Sequence, residues 1–147
     1  MRLLAGERDF LREVCEQSRA VLQDGDRDDP ILRRLYPVAS LDDEELAAQV
    51  DDMIRDDLTR QRLEAIDRCE ATVGSARVSE EDFSSWLAVC NDARLMIGVR
   101  IGVTEESSPE DFEGTEAEAF VEYRFLTSLV GEMVQALSGI TESGLMD

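Results

Sequence analysis

Histidine and lysine are both absent from these 147 residues, so fifteen arginines carry all the side-chain positive charge against thirty-four Asp and Glu. A histidine general base, a histidine metal ligand and a lysine Schiff base are excluded with them, leaving carboxylates, three cysteines, two tyrosines and arginine as reactive groups. Aromatic residues make up only 5%, so a core has to be built mainly from Leu, Val, Ile and Met. No apolar run approaches the ~18 residues of a membrane span, and Met1–Glu7 lacks the apolar region of a signal peptide. A cytoplasmic location is expected. Phosphate-binding glycine loops, nucleophile elbows and paired-cysteine zinc spacings are missing too, so neither a cofactor nor a metal is expected. Asp24, Asp26 and Asp28 imitate a calcium loop, but Asp29 stands where that loop needs Gly and Leu35 where it needs Glu. They read instead as a turn that ends a helix.

What is present is helical periodicity. Hydrophobic residues at 43% and charged residues at 33% are the composition of a folded chain, and 147 residues suit one domain. From Glu7 to about Gln23, the residues Phe10, Leu11, Val14, Cys15, Val21 and Leu22 recur at helical spacing. Pro30 suits the first turn of a short helix over Ile31–Leu35 that must stop before Pro37. Ser40, with Asp43 three positions on, is the expected cap of a long helix ending at Gly74. Its buried stripe is expected to be Leu46, Val50, Met53, Ile54, Leu58, Ile66, Cys69 and Val73. Ser79 and Asp82 repeat the capping pattern for a helix turning Phe83, Trp86, Leu87, Cys90, Ile97 and Ile101 inward. Residues 104–118 hold seven acids and one large apolar residue, Phe112, and are expected to form an acidic mobile loop. A last helix is expected from about Glu116 to Leu137, then a frayed tail. The fold class is all-α: a single-domain bundle of about five helices over residues 1–147, with one long central helix.

The formal charge of −19 repels phosphate backbones and anionic lipid surfaces. It is unevenly spread, with eight acids against seven arginines in residues 1–40 but eleven against one in residues 104–147. Neither direct nucleic-acid binding nor a membrane partner is expected. The acidic loop is instead suited to meet a basic protein partner.

Cys15, Cys69 and Cys90 are too few and too scattered for a secreted disulfide framework and are expected to be reduced at rest. Each falls on an apolar helix face, where a free thiol acts as a small hydrophobe. A redox role requires an accessible thiol of low pKa and a second cysteine whose Cα lies within roughly 7 Å. If the chain turns near Ala76, Cys69 and Cys90 are offset by on the order of 10 Å along the two helices, which leaves Cys15 as a partner for either. Asn91, Asp92 and Arg94 form the densest polar group within an apolar helix. One reading is a buried network in which Arg94 pairs Asp56 or Asp57. The other is an anion- or partner-binding centre that Arg100 completes. Arg94 and Arg100 are too few for a recognition helix.

Four blocks together resemble one family. They are Asp29-Pro30-Ile31-Leu32-Arg33-Arg34-Leu35-Tyr36-Pro37, then Arg55-Asp56-Asp57-Leu58, then the stretch from Trp86 to Glu106, and finally Tyr123-Arg124-Phe125-Leu126. Within the third, Asn91-Asp92-Ala93-Arg94-Leu95, then Gly98-Val99-Arg100-Ile101, then Val103-Thr104-Glu105 are the most specific pieces. The family is an actinobacterial group, long filed as a domain of unknown function, named after the oxidative-stress transcription regulator AosR. Cys90 stands where its pattern has Leu, and Phe125 and Ser128 stand where tryptophans are common. The resemblance implies a cytoplasmic, redox-responsive, non-enzymatic regulator acting through a protein of the transcription machinery such as a sigma factor, with the cysteines as redox candidates. The alternative is a constitutive helical adaptor or scaffold, homo-oligomeric or not, in which the cysteines only fill the core.

Overall fold

A computed structural model describes residues 5–25, 29–36, 43–75 and 77–146, with residues 140–146 described by backbone alone. The amphipathic run around Phe10 to Leu22 folds into α1, Ala5–Asp24. Helix α2, Pro30–Leu35, begins where Asp29 accepts a 2.9 Å bond from the Ile31 N–H and Pro30 occupies a position that needs no donor. Helix α3 runs Glu44–Thr72, about 43 Å at 1.5 Å per residue. Its cap is Asp43, whose Oδ1 accepts from the N–H groups of Glu45 at 3.0 Å and Leu46 at 3.1 Å. The helix thus starts later than a Ser40 cap would place it, because one carboxylate satisfies two free donors of the first turn; Ser40 itself lies outside the described residues.

Helix α4, Glu80–Ile101, is capped as expected by Ser79, which accepts from the Asp82 N–H at 3.0 Å. It ends at Gly102, whose φ of 71° only glycine adopts without strain. Helix α5 extends Thr115–Met146, well past Leu137. No proline interrupts the expected frayed tail, so nothing there removes a backbone donor. All regular structure among the described residues is helical.

Helices α1, α3, α4 and α5 share one core, centred on Leu11, Ile66, Trp86, Val89, Leu126 and Met133. A second cluster seats α2 on α4 through Leu32, Leu35, Tyr36 and Met96. Gly98 brings the Tyr123 ring of α5 close to α4, since a Cβ there would meet Tyr123 at 3.3 Å. Polar clasps cross the same interfaces. Arg19 of α1 reaches Asp67 at 2.8 Å and Glu70 at 2.5 Å on α3, and Arg68 pairs with Glu81 across the α3–α4 turn. The Trp86 indole N–H donates to the Thr72 hydroxyl at 2.7 Å.

The acidic stretch between α4 and α5 contains defined turns. Thr104 N–H donates to Ser107 Oγ at 2.8 Å, and Ser108 N–H to Asp111 Oδ2 at 2.9 Å, opening a 3-10 turn over Pro109–Asp111. Phe112 is buried and stacks on Phe120 with ring centroids 4.6 Å apart, an apolar anchor inside the charged run.

Half of α3 departs from its expected stripe. Ile66, Cys69 and Val73 are buried, whereas Leu46 is 48% and Met53 73% exposed. At roughly 100° per residue, Leu46 and Met53 point about 140–200° away from Ile66, Cys69 and Val73, so one helix carries two apolar lines on opposite faces.

Leu126 is fully buried and Val121 on the same helix is 67% exposed. Leu126→Ala is expected to cost about 3 kcal/mol in urea unfolding, and Val121→Ala to stay within about 0.5 kcal/mol of the parent.

Candidate functional site

The three cysteines arrive from three helices, Cys15 from α1, Cys69 from α3 and Cys90 from α4, and each is 0% exposed in the shared core. Cys15 and Cys69 meet in that core from α1 and α3, near enough for each side chain to shift the other's acidity, and Cys90 adds electrostatically to both. The Cys69 S–H donated to Cys15 draws the Cys15 pKa below the ordinary thiol value, against burial and Glu70, with minor help from Arg19. Cys69 moves the opposite way, raised by the same bond and by desolvation. The pair therefore gives up its first proton more readily than its second. Burial pushes the Cys90 thiol up to about 12. The structure thus brings all three redox candidates into one core, with the strongest mutual influence between Cys15 and Cys69.

The polar candidates divide. Asp92 turns toward α3, where its Oδ2 accepts from Arg62 Nε at 3.1 Å. Arg62 also donates through Nη2 to the Leu35 carbonyl at 2.8 Å, and its guanidinium carbon lies 5.0 Å from the Tyr36 ring centroid. Arg55, seven residues earlier on α3, lies 4.4 Å from the same ring, and the Tyr36 hydroxyl is 2.6 Å from Thr59 Oγ1. One guanidinium therefore ties the end of α2 to α3 and α4. Beside it runs an open groove of about 270 Å³ between α3 and α4, lined by Leu58, Gln61, Arg62, Ala65, Ala88 and Asp92.

Arg94 does not pair with Asp56 or Asp57. It donates from Nη2 to Asn91 Oδ1 on its own helix at 2.7 Å, while Asp57 accepts from Arg60 and from Gln61. The local i, i+3 acceptor takes one Nη donor without crossing to α3, and the buried Nε has no partner among the described residues. Arg100 stands apart from Asp92 as well. It lines a cleft of about 40 Å³ between α1, α4 and α5 with Glu13 and Glu122. The Glu122 carboxyl is raised by partial desolvation first, then by Glu13 and Glu118, and Arg100 partly offsets the rise. No single centre made of Asn91, Asp92, Arg94 and Arg100 forms.

Arg62 is the residue that sequence reasoning passed over. The signal was available: it occupies the fourth position between Leu58 and Ile66, an arginine inside an apolar stripe. Among the described residues no group of three or more His, Cys, Asp or Glu could hold a metal ion, and no helix is long and apolar enough to cross a membrane.

A family model described as a domain of unknown function, DUF2017, matches residues 1–137. No curated protein and no solved structure matches the chain.

Desolvation raises the Asp92 pKa above the ordinary aspartate value, and Arg62 partly opposes the rise. With the folded-state value above the unfolded one, the stabilising contribution of Asp92 is whole below the unfolded value and is lost as pH rises through the folded value. In a carbon-13 NMR titration Asp92 is expected to titrate above the exposed aspartates and to move higher still in Arg62→Met. That variant is expected to lose roughly 2 kcal/mol at neutral pH, less than a fully buried pair because 20% of Arg62 and 21% of Asp92 remain exposed.

Proposed function

The chain belongs to the DUF2017 family, and from that premise we propose that it is a non-catalytic regulator that binds a protein partner and responds to oxidation through Cys15 and Cys69. The observation that carries the redox half is the placement of these two thiols in one buried core, from the packed helices α1 and α3. The resemblance of the Trp86–Glu106 stretch to the AosR-type regulators supports placing the partner in the transcription machinery, with a sigma factor the leading class, and the protein in the cytoplasm. The charge of −19 supports a protein partner over nucleic acid. The lack of histidine and lysine supports a non-enzymatic role.

The chemistry balances without a cofactor. A hydroperoxide transfers an oxygen atom to the Cys15 thiolate, its O–O bond breaks, and the sulfenic acid and hydroxide or alkoxide form. The Cys69 thiol then attacks the Cys15 sulfur, the S–O bond breaks, the S–S bond forms, and water leaves. Two electrons pass from the thiol pair to the peroxide. Because both sulfurs are buried, α1 has to lift from α3 before the first step, and the bridge then joins the two helices covalently.

The complete burial of all three thiols favours a second reading, a constitutive adaptor whose cysteines serve the core alone. Peroxide treatment followed by thiol alkylation and mass spectrometry separates the two. The regulator reading expects a Cys15–Cys69 link that disappears in Cys15→Ser and Cys69→Ser and persists in Cys90→Ser. Three thiols that alkylate only after denaturation establish the adaptor reading.

A further inference from the structure

The outward apolar line on α3 has no counterpart among the described residues of the bundle. Leu46 and Met53 lie about 20° apart around the helix, with Val50 about 40° from Leu46, so the three form a stripe one residue wide over two turns. Leu46 and Met53 are 48% and 73% exposed. Single exposed apolar residues are ordinary on protein surfaces, but two on one face with a half-buried valine between them form a ridge of the kind that seats a partner helix.

The electrostatics around that ridge select the occupant. Residues 44–57 contain six acids and one arginine. That arginine, Arg55, lies over the Tyr36 ring and so on the side of α3 away from Met53. Glu45 and Asp56 lie within about 100° of the ridge on one flank, while Asp57, which continues its line, is paired with Arg60 at the ridge's far end. A second copy would bring the same acids face to face in a chain of charge −19, which disfavours self-association here. A helix with its own apolar stripe between Lys or Arg residues meets both the ridge and its rim.

We infer that the outer face of α3 from Leu46 to Met53 is a docking surface for a basic amphipathic helix of another protein. The inference rests on the partner-binding half of the function proposed above and not on its thiol half. It places the contact away from the cysteine cluster, since Leu46 and Met53 face opposite to Cys69.

The test uses the full chain and two labelled 18-residue helical peptides with the same leucine stripe, one flanked by lysines and one by glutamates, read by fluorescence anisotropy and amide shift mapping. The lysine-flanked peptide is expected to bind, with shifts concentrated in residues 44–57, and the glutamate-flanked peptide is not. The double variant Leu46→Gln, Met53→Gln keeps every charge and is expected to weaken binding by at least about tenfold without lowering the melting temperature, because both side chains are exposed. Equal binding by the double variant, or shifts concentrated in residues 104–118, would overturn the inference and assign the affinity to bulk charge. A dimer in sedimentation that the double variant abolishes would overturn it in favour of a second copy. Cys15→Ser is expected to leave peptide binding unchanged, so failure of the redox reading and failure of the docking surface give different results.

Discussion

Helix α4 has apolar side chains around most of its circumference, and the rest of the structure exists to cover them. Phe83, Trp86, Val89, Cys90, Ala93 and Met96 are all buried, and no single neighbour reaches them all. Each large side chain left in water would forfeit on the order of 1.5–3 kcal/mol, so α1, α3 and α5 close around one set of faces while α2 caps the Met96 side. The close packing of α4 has the same basis: Gly98 lets the Tyr123 ring approach. With few aromatics in the chain, this one helix and its coverings hold most of the core.

The covering helices must also dispose of an excess of carboxylates. Arginines are placed between helices, Arg19 from α1 to two acids of α3 and Arg68 from α3 to Glu81 of α4. Each such exposed pair contributes little alone, but together they set the register of α3 against its neighbours at no cost to the core. Asp92 is the exception, a carboxylate largely withdrawn from water on the helix that most needs to be apolar. Arg62 compensates for it and also accepts the duty of closing α2, by donating to the Leu35 carbonyl. Cys15 and Cys69 lie in the same α1–α3 interface that the Arg19 clasp spans, a joint held by both packing and charge.

Helical periodicity, the Pro30 start and the Ser79 cap could be read directly, because caps and turns depend on residues within four positions of one another. The same locality explains the errors. Ser40 and Asp43 are both good caps, and which one starts α3 depends on where the incoming chain lies. Leu46, Met53 and Cys69 share one helical pattern to the eye, yet a drift of about 20° per seven residues, together with a shift of the stripe midway, turns the first two away from the core.

The sequence by itself determined the all-helical class, the strong negative charge, the absence of histidine and lysine chemistry and the placement of all three cysteines on apolar faces. Each of these depends on composition or short-range spacing. Only the tertiary structure decided that Cys15 shares its core with Cys69, that Asp92 takes Arg62 thirty residues away, that Arg94 stays with Asn91, and that Leu46 and Met53 face outward. Those outcomes depend on how far each helix is rotated and shifted against its neighbours. Rotation and shift are set by the packing of side chains from four or five helices at once, which no local pattern contains.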